Sequence, residues 1–212
     1  MTTMPVLETA RLHIRPPEMD DLEAIHQLYI DASWAEGDQA EERQKRHEWL
    51  EWAVRNHRAL AHMYQPPYGE RVVTLPNGTF VGMVGVVPSL APFGLLPAFR
   101  ARMNENADPN QSITEVGLFW AALNKHRGQG YMTEAARCVI NYLFTTFNLN
   151  RVVAQTDYDN LASIAVMRRL GMTIDRNPQA DPPWLQVVGL LENTLSKINP
   201  QNRIETSEGL QQ

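Results

Sequence analysis

The chain has 212 residues, a formal net charge of −5 and a single cysteine, with 43% hydrophobic and 20% charged residues. This length suits one domain with a sizeable core, and the negative charge argues against a nucleic-acid partner. No apolar run reaches the roughly 18 residues of a membrane helix, no secretory signal opens the sequence, and the lone Cys138 excludes an internal disulfide and a cysteine-cluster zinc site. We therefore expect a cytoplasmic protein with no metal site and no membrane partner.

The N-terminal part predicts one strand followed by two helices. Apolar and polar residues alternate over 11–16 (RLHIRP), which is typical of a short strand. Residues 20–32 place apolar side chains on one helical face, and Asp20 stands where it could cap the start of that helix. A long polar helix is predicted over 39–64.

A hairpin and an unusual segment follow. Asn77-Gly78 separates two strand-like runs within 71–88, and this dipeptide supplies the positive φ angles of a tight turn. Residues 89–111 are first apolar and proline-rich and then polar, a connection that is long for a compact domain. Two interpretations stay open for this insertion: a segment packed on the surface, or a loop that closes over a substrate.

The C-terminal half alternates strands and helices, which indicates at least one strand–helix–strand crossover and a mixed α/β or α+β plan. No repeat and no linker divides the chain, so we predict a single domain over 1–193 and a polar tail over 194–212. The predicted elements are a strand over 113–123, a helix after residue 130, a strand over 151–156, a helix over 162–171 closed by Gly171, and strands over 172–176 and 184–192.

The turn between the strand at 113–123 and the next helix has the features of an anion site. Gly128 and Gly130 let the backbone approach a ligand closely, and the head of the helix directs free N–H groups and partial positive charge at one point. A dinucleotide fingerprint would need a third glycine where Thr133 stands, and a Walker-type Gly-Lys-Ser/Thr is missing. The sequence favours another phosphate-bearing ligand.

Two motifs together identify a family. KHRGQG (125–130) meets the pattern Gln/Arg-x-x-Gly-x-Gly/Ala except at Lys125, and GYMTEA continues it. DNLASIAVMRRLGM (159–172) follows the next strand, and ETARLHIRP opens the chain. In this order and spacing, the motifs resemble those of the GNAT superfamily of acetyl-CoA-dependent N-acetyltransferases over about residues 7–192, and they look most like the branch that modifies ribosomal-protein N-termini.

The resemblance implies a fold and a ligand. The fold would be α+β, with a central twisted and mostly antiparallel sheet of about six or seven strands, a splayed parallel pair and flanking helices. Acetyl-CoA would be the co-substrate, with its diphosphate on the backbone amides of 127–131 and its pantetheine arm between the strands at 113–123 and 151–157. The residues implied at the coenzyme are Leu118, Phe119, Trp120, Lys125, His126, Arg127, Gly128, Gln129, Gly130, Tyr131, Met132, Thr133, Asn160 and Ser163.

The same resemblance implies catalytic candidates. Glu115 would act as general base through water, and Ser163 would donate a proton to the departing thiolate, with Tyr158 as the alternative donor. From the residues alone, Glu115 could equally be a charge at a strand end, and Asn160 with Ser163 could be an ordinary helix cap.

We therefore predict an N-acetyltransferase that transfers acetyl directly to a primary amine of a protein N-terminus, a lysine or a small molecule. Two alternatives remain open: a catalytically silent CoA-binding sensor or scaffold, and an interaction module built on the 89–111 insertion. The strand-rich C-terminus would offer an edge for a homodimer.

Overall fold

The computed structural model describes residues 4–63 and 65–194 and contains eight strands in one sheet, ordered β1-β2-β3-β4-β5-β6-β8-β7. The elements are β1 (Leu7–Glu8), β2 (His13–Arg15), α1 (Leu22–Asp31), α2 (Ala40–His62), β3 (Gly69–Thr74), β4 (Phe80–Ala91), α3 (Pro97–Arg100), β5 (Ile113–Ala122), α4 (Tyr131–Thr146), β6 (Arg151–Thr156), α5 (Leu161–Leu170), β7 (Thr173–Arg176) and β8 (Val187–Glu192).

Neighbouring strands pair antiparallel except for β5 and β6, which run parallel. These two strands share only two paired positions, Gly117 with Val153 and Leu118 with Ala154, although they are ten and six residues long. Beyond Leu118 the edge of β5 that faces β6 is therefore open. The mixed plan with a splayed parallel pair is confirmed. The eighth strand is β1, which is too short to be recognised by its pattern.

Of two local sequence signals in the first half of the chain, the hairpin turn is confirmed and the helix cap is wrong. The hairpin turns at Asn77-Gly78, where the Gly78 N–H donates to the Leu75 carbonyl at 2.9 Å and Gly78 has a φ of 85°. Asp20 does not cap the first helix. Asp21 occupies the N-cap position of α1 but makes no side-chain capping bond to this helix, and its carboxylate accepts the Glu18 N–H of the preceding 3-10 turn at 2.8 Å.

Helices cover both faces of the sheet. On one face, α4 and α5 bury a cluster that includes Val84, Leu118, Val139, Leu143 and Met167. On the other face, α1 and α2 bury a second cluster that includes Ile25, Leu28, Leu50 and Met83. Because side chains alternate along β5, Leu118 faces α4 while Phe119 faces α1 and α2. The cleft described below thus lies where β5 emerges between two helical layers.

The segment over 89–111 contributes to the core, which corrects the expectation of a surface insertion for its first half. Residues 89–91 continue β4 and pair with β5. Phe93 and Phe99 then stack with ring centroids 4.8 Å apart and pack against Val188 of β8. The apolar residues of this segment therefore belong to a third hydrophobic cluster.

Among the described helices none is long and apolar enough to cross a membrane. The predicted polar tail falls, from residue 195 onwards, outside the described residues.

Candidate functional site

A cleft of about 510 Å³ lies where β5 ends and α4 begins. Four pieces of chain form its walls: the segment after α1, the end of β5 with the glycine turn, the first turn of α4, and one face of α5. Its lining residues are Asp31, Ala32, Ser33, Trp34, Trp120, Ala121, Ala122, His126, Arg127, Gly128, Gly130, Tyr131, Met132, Thr133, Asn160, Ala162, Ser163, Ala165, Val166 and Arg169.

The glycine turn presents a row of free backbone donors to this cleft. Gly130 caps the start of α4 with a φ of 81°, and Gly128 has a φ of 75°, both in the left-handed region that side chains disfavour. The N–H groups of residues 128–133 donate no hydrogen bond to any other described residue. Six consecutive donors at the positive end of a helix dipole form a strong anion site.

Two side chains of the cleft carry polar atoms that the protein leaves unsatisfied. Thr133 Oγ1 and His126 Nε2 are both buried and, in the part of the chain that the structure describes, neither has a hydrogen-bond partner. Buried polar groups of this kind are normally paired, with protein, water or ligand. The donor row and the Thr133 hydroxyl thus fit a phosphate-bearing ligand.

The turn is anchored to the segment that follows α1. The Arg127 guanidinium donates to the Asp31 carbonyl at 2.8 Å and to the Ala122 carbonyl at 3.3 Å, and the Asn124 N–H donates to the Asp31 carboxylate at 2.7 Å. Slight burial opposes ionisation of Asp31, but the hydrogen bonds from Asn124 and Gln27 prevail and lower its pKa. The two walls of the cleft are therefore joined at its mouth.

A second anchor ties the N-terminal segment to the head of α4. Arg11 Nε donates to Glu134 at 2.7 Å and Arg11 Nη1 to the Gln129 carbonyl at 3.2 Å, while the Thr9 hydroxyl donates to Glu134 at 2.6 Å. The Arg11 guanidinium also lies 4.8 Å from the centre of the Tyr131 ring. Burial of Glu134 would raise its pKa, but these hydrogen bonds outweigh it and the pKa is lowered.

Asn160 and Ser163 both line the cleft at the start of α5. Asn160 caps this helix, because its side-chain oxygen accepts the Ser163 N–H at 3.0 Å. The cap leaves the Ser163 hydroxyl outside this bond. Helix capping and a role at the ligand are therefore compatible for this pair.

The structure places Glu115 away from the cleft lining. It is 7% exposed, and its two carboxylate oxygens accept hydrogen bonds from Arg151 Nε at 3.0 and 2.9 Å. The register that pairs Gly117 with Val153 sets these two residues opposite each other, and the bond to Glu115 raises the pKa of Arg151. The carboxylate is thus already engaged by a cation.

Tyr158 is also engaged elsewhere. Its hydroxyl donates to the Asn177 carbonyl at 2.7 Å, and its N–H donates to Gln186 at 2.7 Å. Tyr158 is not among the described residues that line the cleft. Of the two predicted proton donors, only Ser163 faces the ligand space.

The remaining predicted coenzyme residues divide into two groups. Trp120, His126, Arg127, Gly128, Gly130, Tyr131, Met132 and Thr133 line the cleft. Leu118 is buried in the core, and the Phe119 ring fills the space above Gly85. Leu118 and Phe119 could therefore serve a ligand only through the backbone. The exposed Lys125 and Gln129 are not among the described residues that line the cleft, and the Gln129 side-chain amide donates to the Lys125 carbonyl.

Sequence reasoning missed two parts of the wall. The segment 31–34 at the end of α1 brings Trp34, half exposed, to the cleft; the sequence left Trp34 open between a cleft wall and packing of the N-terminal helices, and favoured packing. On α5, residues 162, 165, 166 and 169 line the cleft. Their spacing marks one helical face, so this stripe could have been read from the sequence once Ser163 was placed at the ligand.

No group of three or more histidine, cysteine, aspartate or glutamate side chains suited to a metal ion occurs among the residues that the structure describes.

The fold and the cleft define a protein whose free backbone donors are suited to a phosphate-bearing ligand and stand beside two diverging parallel strands. A family model described as an acetyltransferase (GNAT) domain matches residues 11–173. The chain belongs to this family, which confirms the resemblance.

Comparisons with individual proteins agree with this assignment. The chain is 29% identical over 125 residues to the uncharacterized protein YkkB of Bacillus subtilis, which covers 59% of each chain. It therefore spans less than two thirds of the length of this curated relative. An acetyltransferase from Agrobacterium tumefaciens superposes with a TM-score of 0.60 at 24% identity, covering 91% of this chain and 96% of the other. RimL, a ribosomal L7/L12 α-N-protein acetyltransferase in complex with coenzyme A, superposes with a TM-score of 0.54 at 16% identity, covering 88% and 96%.

Proposed function

We propose that the protein is an N-acetyltransferase that transfers an acetyl group from acetyl-CoA directly to a primary amine bound beside it. The observation that carries the proposal is the row of six free N–H groups over residues 128–133 at the head of α4. Membership of an acetyltransferase family supports the same conclusion. The acceptor class is a protein N-terminus, a lysine or a small-molecule amine.

Each wall of the cleft has a role in this proposal. The free amides of 128–133 would hold the diphosphate, with Thr133 adding a hydroxyl donor. The predicted Arg127 amide is not free, because its N–H donates to the Asn124 carbonyl at 3.3 Å. The pantetheine arm would lie in the gap that opens between β5 and β6 beyond Leu118, where Asn160 stands at the rim. When bound, acetyl-CoA supplies an acetyl group activated as a thioester.

The chain's own residues would promote attack by the amine. Proximity and orientation in one cleft make the transfer effectively intramolecular. A backbone N–H of β5 near Phe119 and Trp120, on the open edge of the strand, would polarise the acetyl carbonyl. The Ser163 hydroxyl would protonate the departing thiolate.

The amine must be neutral to attack, and this requirement distinguishes acceptor classes. At pH 7, deprotonating a free lysine costs about 4.6 kcal/mol, whereas an N-terminal α-amine costs only about 1 kcal/mol. RimL, which shares this fold, is a ribosomal L7/L12 α-N-protein acetyltransferase. A ribosomal-protein-like N-terminus is accordingly our first candidate, and the assignment to that branch stays a prediction.

Transfer also requires a general base that takes the proton from the attacking amine, the role predicted for Glu115. Glu115 keeps the role only if its carboxylate leaves Arg151 or acts through water while paired. This engagement also favours the second candidate function, a CoA-binding sensor or scaffold that does not catalyse transfer. The two candidates share the coenzyme site and differ in turnover.

Two measurements test the proposal in sequence. Calorimetric titration with coenzyme A comes first, and failure of the folded protein to bind it would remove both candidates. A mass-spectrometric screen for acetylated products follows, using peptides with varied N-termini, lysine-containing peptides with blocked N-termini, and small amines. Acetylation of any of these classes supports the enzyme, and binding without transfer supports the sensor. Neither candidate function involves nucleic acid. The homodimer stays a prediction.

A further inference from the structure

One face of α5 forms a wall of the cleft, and the side chains of this wall change from small and uncharged to cationic along the helix. Ala162, Ala165 and Val166 present small side chains, and Arg169 ends the stripe with a guanidinium. Six residues of helix separate Ser163 from Arg169, a rise of about 9 Å. The proton donor proposed for the thioester and this cation therefore stand at opposite ends of one wall.

Arg169 is a free cation in the described part of the chain. Its side chain is exposed and makes no ion pair or hydrogen bond with any described residue. The other arginine of the cleft, Arg127, uses its guanidinium on the carbonyls of Asp31 and Ala122. Of the two arginines that line the cleft, Arg169 is thus the one whose guanidinium contacts no described acceptor. It carries this positive charge on a protein with a net charge of −5.

A second arginine fixes the backbone at the same point. Arg137 of α4 donates from Nη2 to the Arg169 carbonyl at 2.5 Å, which holds the end of α5 against α4. Asp31 is the sole carboxylate among the described residues that line the cleft, and it already accepts the Asn124 N–H. The described lining thus carries two arginines, Arg127 and Arg169, against a single carboxylate.

Coenzyme A carries a phosphate monoester on its ribose in addition to the diphosphate that the amides of α4 would hold. We propose that Arg169 binds this 3′-phosphate and makes the cleft selective for coenzyme A over 3′-dephospho-coenzyme A. The inference rests on the proposed function. A planar guanidinium forms strong paired hydrogen bonds with phosphate oxygens, which suits it to this monoester.

The test compares two ligands on three proteins by calorimetry at a fixed ionic strength. Wild-type protein is expected to bind coenzyme A about tenfold more tightly than 3′-dephospho-coenzyme A. Arg169→Ala should bring the two affinities together while its affinity for the dephospho compound stays at the wild-type value. Arg168→Ala is the matched control, because Arg168 is an exposed neighbour on the same helix outside the cleft lining, and it should keep the preference.

The outcomes separate this inference from the proposed function. Equal binding of the two compounds by the wild-type protein overturns the inference alone, as does an unchanged preference in Arg169→Ala. Absence of binding of either compound overturns the proposed function and the inference with it. Arg169→Lys should retain part of the preference, because a single ammonium keeps the charge and loses the fork of donors. Circular dichroism confirms that each variant is folded.

Discussion

Glu115 and Arg151 face each other across the parallel strands β5 and β6, two residues before the first of the two positions at which these strands pair. The carboxylate side chain is 6% exposed and the guanidinium side chain 31% exposed. The Arg151 guanidinium also lies 5.5 Å from the centre of the Phe99 ring, so the third hydrophobic cluster covers the pair. The pair thus joins the two strands below the gap proposed for the pantetheine arm.

Glu115→Gln tests whether this carboxylate is structural or catalytic. Breaking the pair leaves a partly buried guanidinium without its counter-ion, so we expect the free energy of unfolding to fall by about 1–3 kcal/mol in urea denaturation. Glu41→Gln, which breaks an exposed pair with Lys45, should change it by less than about 0.5 kcal/mol. The pH–rate profile of acetyl transfer gives the second answer: loss of its acidic limb would assign Glu115 the base role, and an unaltered profile would leave the role with another group.

Gly130→Glu tests the donor row itself. A side chain at φ 81°, carrying a negative charge where the diphosphate would sit, should weaken coenzyme A binding by at least about 100-fold. Gly78→Glu is the matched control, because Gly78 has a φ of 85° in an open turn and suffers the same backbone strain far from the cleft. Unchanged coenzyme affinity in a folded Gly130→Glu protein would refute the proposed site.

The predictions that succeeded depend on local chemistry. Asn77-Gly78 encodes its turn with two residues, and Gly171 ends α5 in the left-handed conformation. The glycine turn at 128–130 is local in the same way, since Gly128 and Gly130 adopt positive φ angles and line the cleft, while its role as an anion site stays a prediction.

The features that the sequence pattern did not show depend on contacts between distant segments. Phe93 is buried only because β8 supplies its partners almost a hundred residues later, so the sequence pattern alone looked like an insertion. Trp34 lines the cleft beside Asp31, whose carbonyl accepts a hydrogen bond from the distant Arg127. The pairing of Glu115 with Arg151 likewise requires the register of β5 against β6.

Ser163→Ala should separate catalysis from helix capping. The substitution keeps the N–H that donates to Asn160, so stability and coenzyme affinity should remain at wild-type values. Turnover should fall about 100-fold if the hydroxyl protonates the thiolate. Steady-state kinetics at saturating acetyl-CoA, together with calorimetry, measures both quantities, and wild-type turnover would remove Ser163 from the mechanism.

Tyr158→Phe is the counterpart of that experiment. The Tyr158 hydroxyl bonds to the Asn177 carbonyl, so its removal should lower the free energy of unfolding by about 1 kcal/mol and leave turnover unchanged. A large loss of turnover in Tyr158→Phe with none in Ser163→Ala would exchange the two assignments.

His57 should make the protein sensitive to mild acid. It is 9% exposed, and the Arg71 guanidinium lies 2.6 Å from its Nδ1. Burial and the positive charge of Arg71 lower the pKa of His57 from 6.5 to about 4. Between these two pH values the unfolded chain binds a proton that the folded protein does not, so stability is complete above pH 6.5 and declines as the pH falls towards 4.

We expect His57 to remove about 1–3 kcal/mol of unfolding free energy between pH 7 and pH 4, measured by urea denaturation. His57→Gln should flatten that decline, whereas His62→Gln, at an exposed position of the same helix, should leave it unchanged. Burial raises the pKa of the neighbouring Glu70, which acts in the opposite direction, but it does so in every variant. The difference between wild type and His57→Gln therefore isolates the histidine, and identical slopes for these two proteins would mean that His57 is protonated in the folded state despite its contact with Arg71.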